Sequence, residues 1–216
     1  MKKMYKAMLL VLCAILLVVG SVMGTLAYLQ MSTQTVTNTF TVGNVKITLT
    51  ERKMQNDGVT ASDIRIDVTN NAANNAYKLI PGKNYTKDPK VTVVADSEAC
   101  YVFVKVENGI SAIEIAANDG DTIVEQMANN GWTSLPDVAN VYYKQVDATT
   151  AKSGTTLPIF DTFTIDDNAN NNAIWNLLTD DNSDNDPVIA ITAYAIQSEG
   201  FNNAQEAWEA SGFDTP

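Results

Sequence analysis

Hydrophobic and polar residues alternate with a period of two along much of the chain, in runs rich in Val, Ile, Thr and Tyr. Asn, Asp, Gly and Pro separate these runs, which is typical of β-strands joined by turns. In the first run the apolar phase changes at Gly43, which predicts a β-bulge or a tight bend. The alternation predicts eight strands, at about 36–50, 62–69, 76–80, 89–95, 99–107, 139–146, 157–165 and 187–197.

Two stretches between the strands carry the start and stop signals of short helices. One is "DTIVEQMANNG", with Asp121 as its cap and Gly131 just past its end. The other is "NAQEAWEASG", which Asn203 and Gly212 bracket, and "NNAIWNLL" is a third, shorter candidate. Few helices among strands too numerous for one flat sheet predict a mainly β fold. We expect an antiparallel, two-sheet, jelly-roll-like sandwich with two or three short inserted helices.

The chain opens with three lysines among its first six residues, followed by a long apolar run and then small residues. Thr25 and Ala27 occupy the minus-three and minus-one positions of an A-x-A-like cleavage site. We therefore predict a secretory signal peptide at 1–27, cut between Ala27 and Tyr28, with an uncleaved membrane anchor as the alternative. Residues 28–216 then form a single β-sandwich domain of a secreted protein.

Charge and cysteine content restrict the partners and the covalent chemistry of the mature chain. The leader holds three of the 14 basic residues and none of the 25 acidic ones, which leaves a net charge of −14. Such a charge argues against nucleic acid and anionic lipid as partners, so membrane contact is expected only through the leader before cleavage. Cys13 lies in the leader, so Cys100 has no partner for an intrachain disulfide. Alternation predicts that Cys100 is buried beside Val102 and Val104.

The composition argues against catalysis. No histidine is present, which excludes Ser-His-Asp and Cys-His nucleophile systems and H-E-x-x-H zinc sites, and no phosphate-binding glycine motif occurs. We predict no enzyme activity and no organic cofactor. The segment "DDNSDNDP" spaces oxygen ligands at alternate positions, as a calcium loop does, although Asn185 stands where glycine is expected. A structural calcium site and a solvated acidic hairpin are both compatible with its four candidate ligands, which are Asp180, Asn182, Asp184 and Asp186.

Three tryptophans, Trp132, Trp175 and Trp208, lie in or beside the predicted helices. Each has apolar neighbours at helical spacing, so we predict that they pack helices onto the sandwich. A sugar-stacking platform is the alternative.

Residues 28–39 form a threonine-rich segment at the new N-terminus that runs into the first strand without a hairpin turn. It could remain a disordered arm or an ordinary edge strand. It also has the length and the apolar anchors to complete the sheet of a neighbouring molecule by strand addition. The predicted anchors are Tyr28, Leu29, Met31 and Val36.

Several blocks of the chain resemble a known family: "GTLAY", "TNTFTVGNVKITLTE", "LIPGKNYTKDPKVTVVADSEACYVFVKVEN" and "ITAYAIQSEGF…AQEAW". They are similar to the TasA/camelysin (CalY) family of exported proteins processed by a SipW-type signal peptidase. The resemblance covers most of the chain. It implies a jelly-roll protein of the biofilm matrix or cell surface of a Gram-positive-type bacterium, which assembles into fibres through an N-terminal donor strand at 28–39.

These observations support one leading hypothesis and two alternatives. The leading hypothesis is a secreted structural protein whose partners are other copies of itself, the SipW-type signal peptidase and other matrix or surface components. The first alternative is a monomeric, adhesin-like surface module that binds carbohydrate or calcium. The second is a camelysin-type peptidase, which would have to bind its metal through carboxylates because the chain has no histidine.

Overall fold

Ten strands and three short helices form in the part of the chain that the structure describes. A computed structural model describes residues 44–69, 75–115, 121–169 and 188–213, which belong to the unit Val42–Pro216. The helices are α1 (Ile123–Asn129), α2 (Ala148–Ser153) and α3 (Ala204–Ser211). The strands are β1 (Ile47–Met54), β2 (Ala61–Asp67), β3 (Asn84–Thr86), β4 (Lys90–Val93), β5 (Cys100–Asn108), β6 (Thr133–Ser134), β7 (Val141–Val146), β8 (Thr155–Pro158), β9 (Thr162–Thr164) and β10 (Ile189–Gln197).

Antiparallel pairing arranges eight of these strands in two four-stranded sheets. One sheet has the order β2-β1-β4-β8 and the other the order β10-β5-β7-β6, while β3 and β9 form a separate pair. Side chains of the first sheet, such as Val91 and Val93, share one apolar core with Val102 and Val104 of the second. The predicted fold class, a mainly β, antiparallel two-sheet sandwich with short helices, is confirmed.

Strand β5 is buried on both faces along most of its length. Cys100, Val102 and Val104 are fully buried in the core between the sheets, as the alternation predicts. Burial raises the pKa of the Cys100 thiol to about 11. The intervening Tyr101 and Phe103 point to the other face, where they meet a second apolar cluster.

Helix α3 covers that second face of β5. Its Trp208 lies with its ring centroid 5.1 Å from Phe103 and 5.6 Å from Tyr194 of β10. Asn203 caps the helix by accepting a hydrogen bond from the Glu206 N–H at 2.9 Å. Gly212 ends it in the left-handed conformation, at a φ of 69°. The helix and both of its predicted terminal residues are confirmed.

The tryptophans within the described ranges pack as predicted. Trp132 is 4% exposed and Trp208 is 5% exposed, and each belongs to an apolar cluster. The Trp132 indole N–H donates a hydrogen bond to the Pro158 carbonyl at 2.7 Å. The Lys144 ammonium lies 5.0 Å from the Trp132 ring centroid, which is cation–π distance. Trp175 and the candidate helix around it lie outside the described residues.

The structure corrects one predicted helix end and contains one helix that the sequence did not predict. Helix α1 is capped by Thr122 rather than by Asp121, because the Thr122 hydroxyl accepts from the Glu125 N–H at 3.2 Å. The Glu125 carboxylate accepts from the Thr122 N–H in return, which completes a capping box. Gly131 follows the helix with a φ of +82°, as predicted. Helix α2 was not predicted from the sequence. Its signal is Asp147, whose carboxylate accepts from two N–H groups of the first turn.

Two strand predictions also fail. Residues 76–80 form no strand, because the Lys78 backbone bonds to a turn and to a side chain: its N–H donates to Gly58 O, and its carbonyl accepts from the Tyr85 hydroxyl. The single strand predicted at 157–165 divides into β8 and β9. Ile159 and Phe160 are consecutive and both fully buried, which breaks the period of two. Gly43, the predicted bulge, is outside the described part of the chain.

Candidate functional site

Strand β10 is the outermost strand of its sheet within the described residues. It pairs with β5 over nine consecutive positions, from Ile189 opposite Asn108 to Gln197 opposite Cys100, without a register shift. The result is a long and regular edge of the kind that accepts an added strand.

Two hydrogen bonds fix which groups of β10 face outward. The Gly109 N–H donates to Val188 O at 2.9 Å, and the Ser198 N–H donates to Ala99 O at 2.9 Å. Because hydrogen-bonded pairs alternate along an antiparallel ladder, the even-numbered residues of β10 bond to β5. The odd-numbered residues therefore direct their N–H and C=O groups away from β5. These residues are Ile189, Ile191, Ala193, Ala195 and Gln197.

The side chains of four of those odd-numbered residues form an incompletely covered apolar row. Ile189, Ile191, Ala193 and Ala195 pack against the main core but are only half-buried. The neighbouring Val102 and Val104 of β5 are fully buried. An incoming strand could bury the rest of this row and satisfy the outward backbone groups together, which are the two contributions that strand addition uses.

The other edges of the two sheets carry protective features that β10 lacks. Strand β2 has three charged residues among its seven, in "ASDIRID". Strand β8 has four residues and ends in Pro158, and β6 has only two. Strand β10, "IAITAYAIQ", has nine residues and neither a charge nor a proline. Charge, proline and shortness are the devices that prevent strand addition, so β10 is the least protected edge among the described strands.

A second feature is a polar cleft of about 490 Å³ between α1 and the β3–β9 pair. Gln126 braces its wall: its amide donates to Thr162 O at 2.9 Å and accepts from the Asp161 and Thr162 N–H groups at 3.1 Å. The cleft is lined by Asn84, Ile115, Asp121, Gln126, Asn129, Asn130, Asp161, Thr162 and Thr164. Most of these side chains are amides, hydroxyls and carboxylates.

Several polar groups in the cleft retain hydrogen-bonding capacity. The Asn130 amide donates to Ile159 O at 3.1 Å, and the Asn84 amide donates to the Thr164 hydroxyl at 2.7 Å, which leaves both amide oxygens as acceptors. The side chains of Asp121, Asn129 and Asp161 make no hydrogen bond to any other described residue. Hydrogen-bonding groups of this kind, held in place by the contacts of Gln126, suit a ligand that carries many hydroxyls.

One half-buried carboxyl anchors the start of α1 beside this cleft. Glu114 accepts from the Ile123 N–H at 2.6 Å and from the Asn108 amide at 2.7 Å. Burial raises its pKa, and the charge of Glu125 raises it further. Glu114 therefore has a structural role, because both of its carboxylate oxygens accept hydrogen bonds from the protein.

None of the residues that the sequence singled out as a site lies in the described ranges. The cleavage pair Ala27 and Tyr28, the further anchors Leu29, Met31 and Val36, and the calcium candidates Asp180, Asn182, Asp184 and Asp186 are all outside them. Within the ranges that are described, no three His, Cys, Asp or Glu side chains are grouped so that they could hold a metal ion. No helix in those ranges is long and apolar enough to cross a membrane.

Comparison with family models, with curated proteins and with solved structures finds no match to this chain.

The β10 edge and the cleft were both missed from the sequence. Alternation identified a strand at 187–197, but periodicity does not tell whether a strand has one neighbour or two. The absence of charge and proline from β10 was the signal in the sequence that could have marked the edge.

Proposed function

We propose that this chain is a secreted structural protein that assembles into extracellular fibres by donor-strand exchange. In this proposal a SipW-type signal peptidase releases the segment 28–39, which adds to the β10 edge of the next copy. The fibres belong to the biofilm matrix or the cell surface, where other matrix components are further partners. The observation that carries the proposal is the β10 edge, which is long, regular, uncharged and half-covered.

The lengths of the donor and the acceptor are compatible. Twelve residues of the arm extend over about 40 Å at roughly 3.3 Å per residue, and the nine residues of β10 extend over about 30 Å. Leu29 and Met31 are two residues apart, so a strand places both on one face, toward the apolar row of the acceptor. Ordering the arm costs about 1–2 kcal/mol per residue, which offsets much of the gain from ladder bonds and burial. Assembly should therefore depend on protein concentration.

Removal of the arm is the direct test. A variant that lacks Tyr28–Thr39 should give a folded monomer by circular dichroism and light scattering, and no filaments by negative-stain microscopy. A synthetic peptide of residues 28–39 should bind this shortened protein in calorimetry, whereas a scrambled peptide should not. Filaments of the shortened protein would show that the arm is not the connection between copies.

A second function, a monomeric surface module that binds carbohydrate, is favoured by the polar cleft beside α1. Its test is a titration with neutral oligosaccharides followed by backbone amide NMR. Shifts should concentrate on α1 and β9 and disappear in Asn129→Ala, while the exposed amide variant Gln145→Ala on β7 should retain them. Light scattering should show a single species at every concentration. Filament growth together with no shift in the cleft would exclude this function.

A further inference from the structure

Two oppositely charged side chains, Glu51 of β1 and Lys87, are buried next to each other. Glu51 continues the inward-facing phase of β1 after Leu49, and Lys87 follows β3. The Lys87 ammonium nitrogen lies 2.9 Å from Glu51 Oε1, with side-chain exposures of 7% and 5%. A lysine that is this buried normally requires a partner, and Glu51 is one.

An asparagine amide shares the same carboxylate oxygen. Asn75 Nδ2 donates to Glu51 Oε1 at 2.9 Å and to Arg52 O at 2.9 Å. Its Oδ1 accepts from the Met54 N–H at 2.8 Å, so backbone partners on both sides fix the orientation of the amide. The Lys87 and Asn75 nitrogens therefore both donate to Glu51 Oε1, so the distance between the two nitrogens cannot exceed twice 2.9 Å.

Aromatic rings border this group of three polar side chains. The Tyr77 hydroxyl lies 3.4 Å from Glu51 Oε1, and the Tyr77 ring centroid is 6.0 Å from the Lys87 nitrogen. Tyr77 contacts Tyr85 and Phe163, with centroids 5.9 Å and 5.1 Å away. Burial and then the Glu51 carboxylate raise the pKa of the Tyr77 phenol far above its usual range. Glu51 and Lys87 are thereby shielded from bulk water, and Asn75 is half-buried beside them.

We propose that Lys87 and Asn75 form an intramolecular isopeptide bond, with Glu51 as the proton carrier. Proton transfer along the 2.9 Å contact converts the Lys87 ammonium into the neutral amine and Glu51 into the carboxylic acid. The amine then attacks the Asn75 Cγ, which forms the new C–N bond. The negative charge that develops on Asn75 Oδ1 meets the Met54 N–H, which is already 2.8 Å away.

Glu51 completes the reaction through its contact with the leaving nitrogen. The carboxylic acid returns its proton to Asn75 Nδ2, the bond from Cγ to Nδ2 breaks, and ammonia leaves. The extra proton of the new amide nitrogen passes through Glu51 to the ammonia. An ammonium side chain and a primary amide thus become a secondary amide and an ammonium ion, so atoms and charge balance without a cofactor or an oxidant.

The bond would join Asn75, in the connection between β2 and β3, to Lys87, in the connection between β3 and β4. The chain between these two residues would become a short, covalently closed loop. Cys100 is buried, and the mature chain predicted from the sequence offers it no second cysteine. An isopeptide cross-link is a covalent constraint that such a chain can make for itself. It forms within one molecule and does not depend on fibre assembly.

Intact mass spectrometry of the mature wild-type protein tests the proposal directly. We expect a mass about 17 Da below the value calculated from the sequence, which corresponds to one lost ammonia. Trypsin digestion should give a branched peptide that contains both Asn75 and Lys87. A wild-type mass equal to the calculated value would overturn the proposal, whatever the variants do.

Variants separate this reaction from other losses of ammonia. Lys87→Met, Asn75→Ala and Glu51→Gln should each restore the full calculated mass, while the exposed lysine variant Lys53→Met should keep the deficit. Asn75→Asp should lose water in place of ammonia, about 18 Da relative to its own sequence. A deficit that persists in Lys87→Met would show that ammonia is lost elsewhere and would refute the assignment.

Discussion

Successive backbone N–H groups of β10 point alternately toward β5 and toward the open edge of the sheet. Proline should therefore have different effects at Ala190 and at Ala193. Ala190 lies opposite Glu107 and, as an even-numbered residue, directs its N–H at β5. Ala193 is odd-numbered, so its N–H faces the open edge of the sheet. Proline removes the backbone donor in both cases and fixes φ in both cases. Ala190→Pro should therefore damage the fold, and Ala193→Pro should damage assembly.

The expected magnitudes follow from the bonds that each proline removes. Ala190→Pro deletes one ladder bond, worth about 1 kcal/mol net, and leaves the Glu107 carbonyl without its donor at a cost of about 1–3 kcal/mol. The free energy of unfolding should fall by about 2–4 kcal/mol. Ala193→Pro deletes no bond to β5, and a proline on the outward side of an edge strand is tolerated, so we expect a change within about 1 kcal/mol.

The same Ala193→Pro change should act strongly on fibres. An incoming strand loses one donor and meets the proline ring, so each addition should weaken by about 1–3 kcal/mol. Every 1.4 kcal/mol raises the critical concentration about tenfold. Urea unfolding measures the first quantity, and sedimentation of assembled protein measures the second. Wild-type assembly by Ala193→Pro, or equal loss of stability in both variants, would refute the assignment of β10 as the acceptor edge.

Three further predictions concern a buried aspartate, a buried thiol and a half-buried glutamate of the domain. The Asp88 carboxylate accepts a hydrogen bond from Arg65 at 2.5 Å, and its side chain is 6% exposed. Asp88→Ala should therefore lower the free energy of unfolding by about 1–3 kcal/mol in urea titrations. This range is kept low because Arg65 is partly exposed to solvent. An unchanged midpoint would contradict this. The buried Cys100 thiol, with its pKa raised to about 11, should react with a disulfide reagent at pH 8 only in denaturant. Immediate reaction would place it at the surface. The raised pKa of Glu114 means that the folded state binds its proton more tightly, so its contribution to stability declines as the pH rises above 4.5. Glu114→Gln should remove that slope in unfolding curves measured from pH 4 to 7, and parallel curves for the two proteins would contradict the shift.

Local patterns were sufficient to predict the elements whose neighbours are local. The alternation in "CYVFVKV" predicted which side of β5 faces the core, and Asn203 with Gly212 predicted both ends of α3, because caps depend on nearby backbone groups. The pattern failed at 76–80, where alternating residues form a loop. That loop is held by Gly58 and by the Tyr85 hydroxyl, and neither partner can be seen in the segment itself.

The candidate sites depend on contacts that are distant in sequence. Glu51 continues the inward phase of β1, but a carboxylate at that position would ordinarily end the strand prediction. Its burial is explained only by Lys87 and Asn75, which are 36 and 24 residues away. The cleft likewise requires α1 to meet β9, since Gln126 bonds to a strand 36 residues further along the chain.

The proposed assembly and the proposed cross-link meet at β1. The arm at 28–39 leads along the chain into β1, so a pull between neighbouring copies would reach the domain first through that strand. Strand β1 is bonded on both sides, to β2 and to β4, and its Arg52 N–H donates to the buried Asp88 carboxylate at 3.2 Å. Asn75 also bonds to the backbone of β1 through its Oδ1, which accepts from the Met54 N–H and is retained in the cross-linked amide. A covalent bond from Asn75 to Lys87 would therefore brace the strand through which tension enters, and its loss should weaken fibres under load more than it weakens the isolated domain.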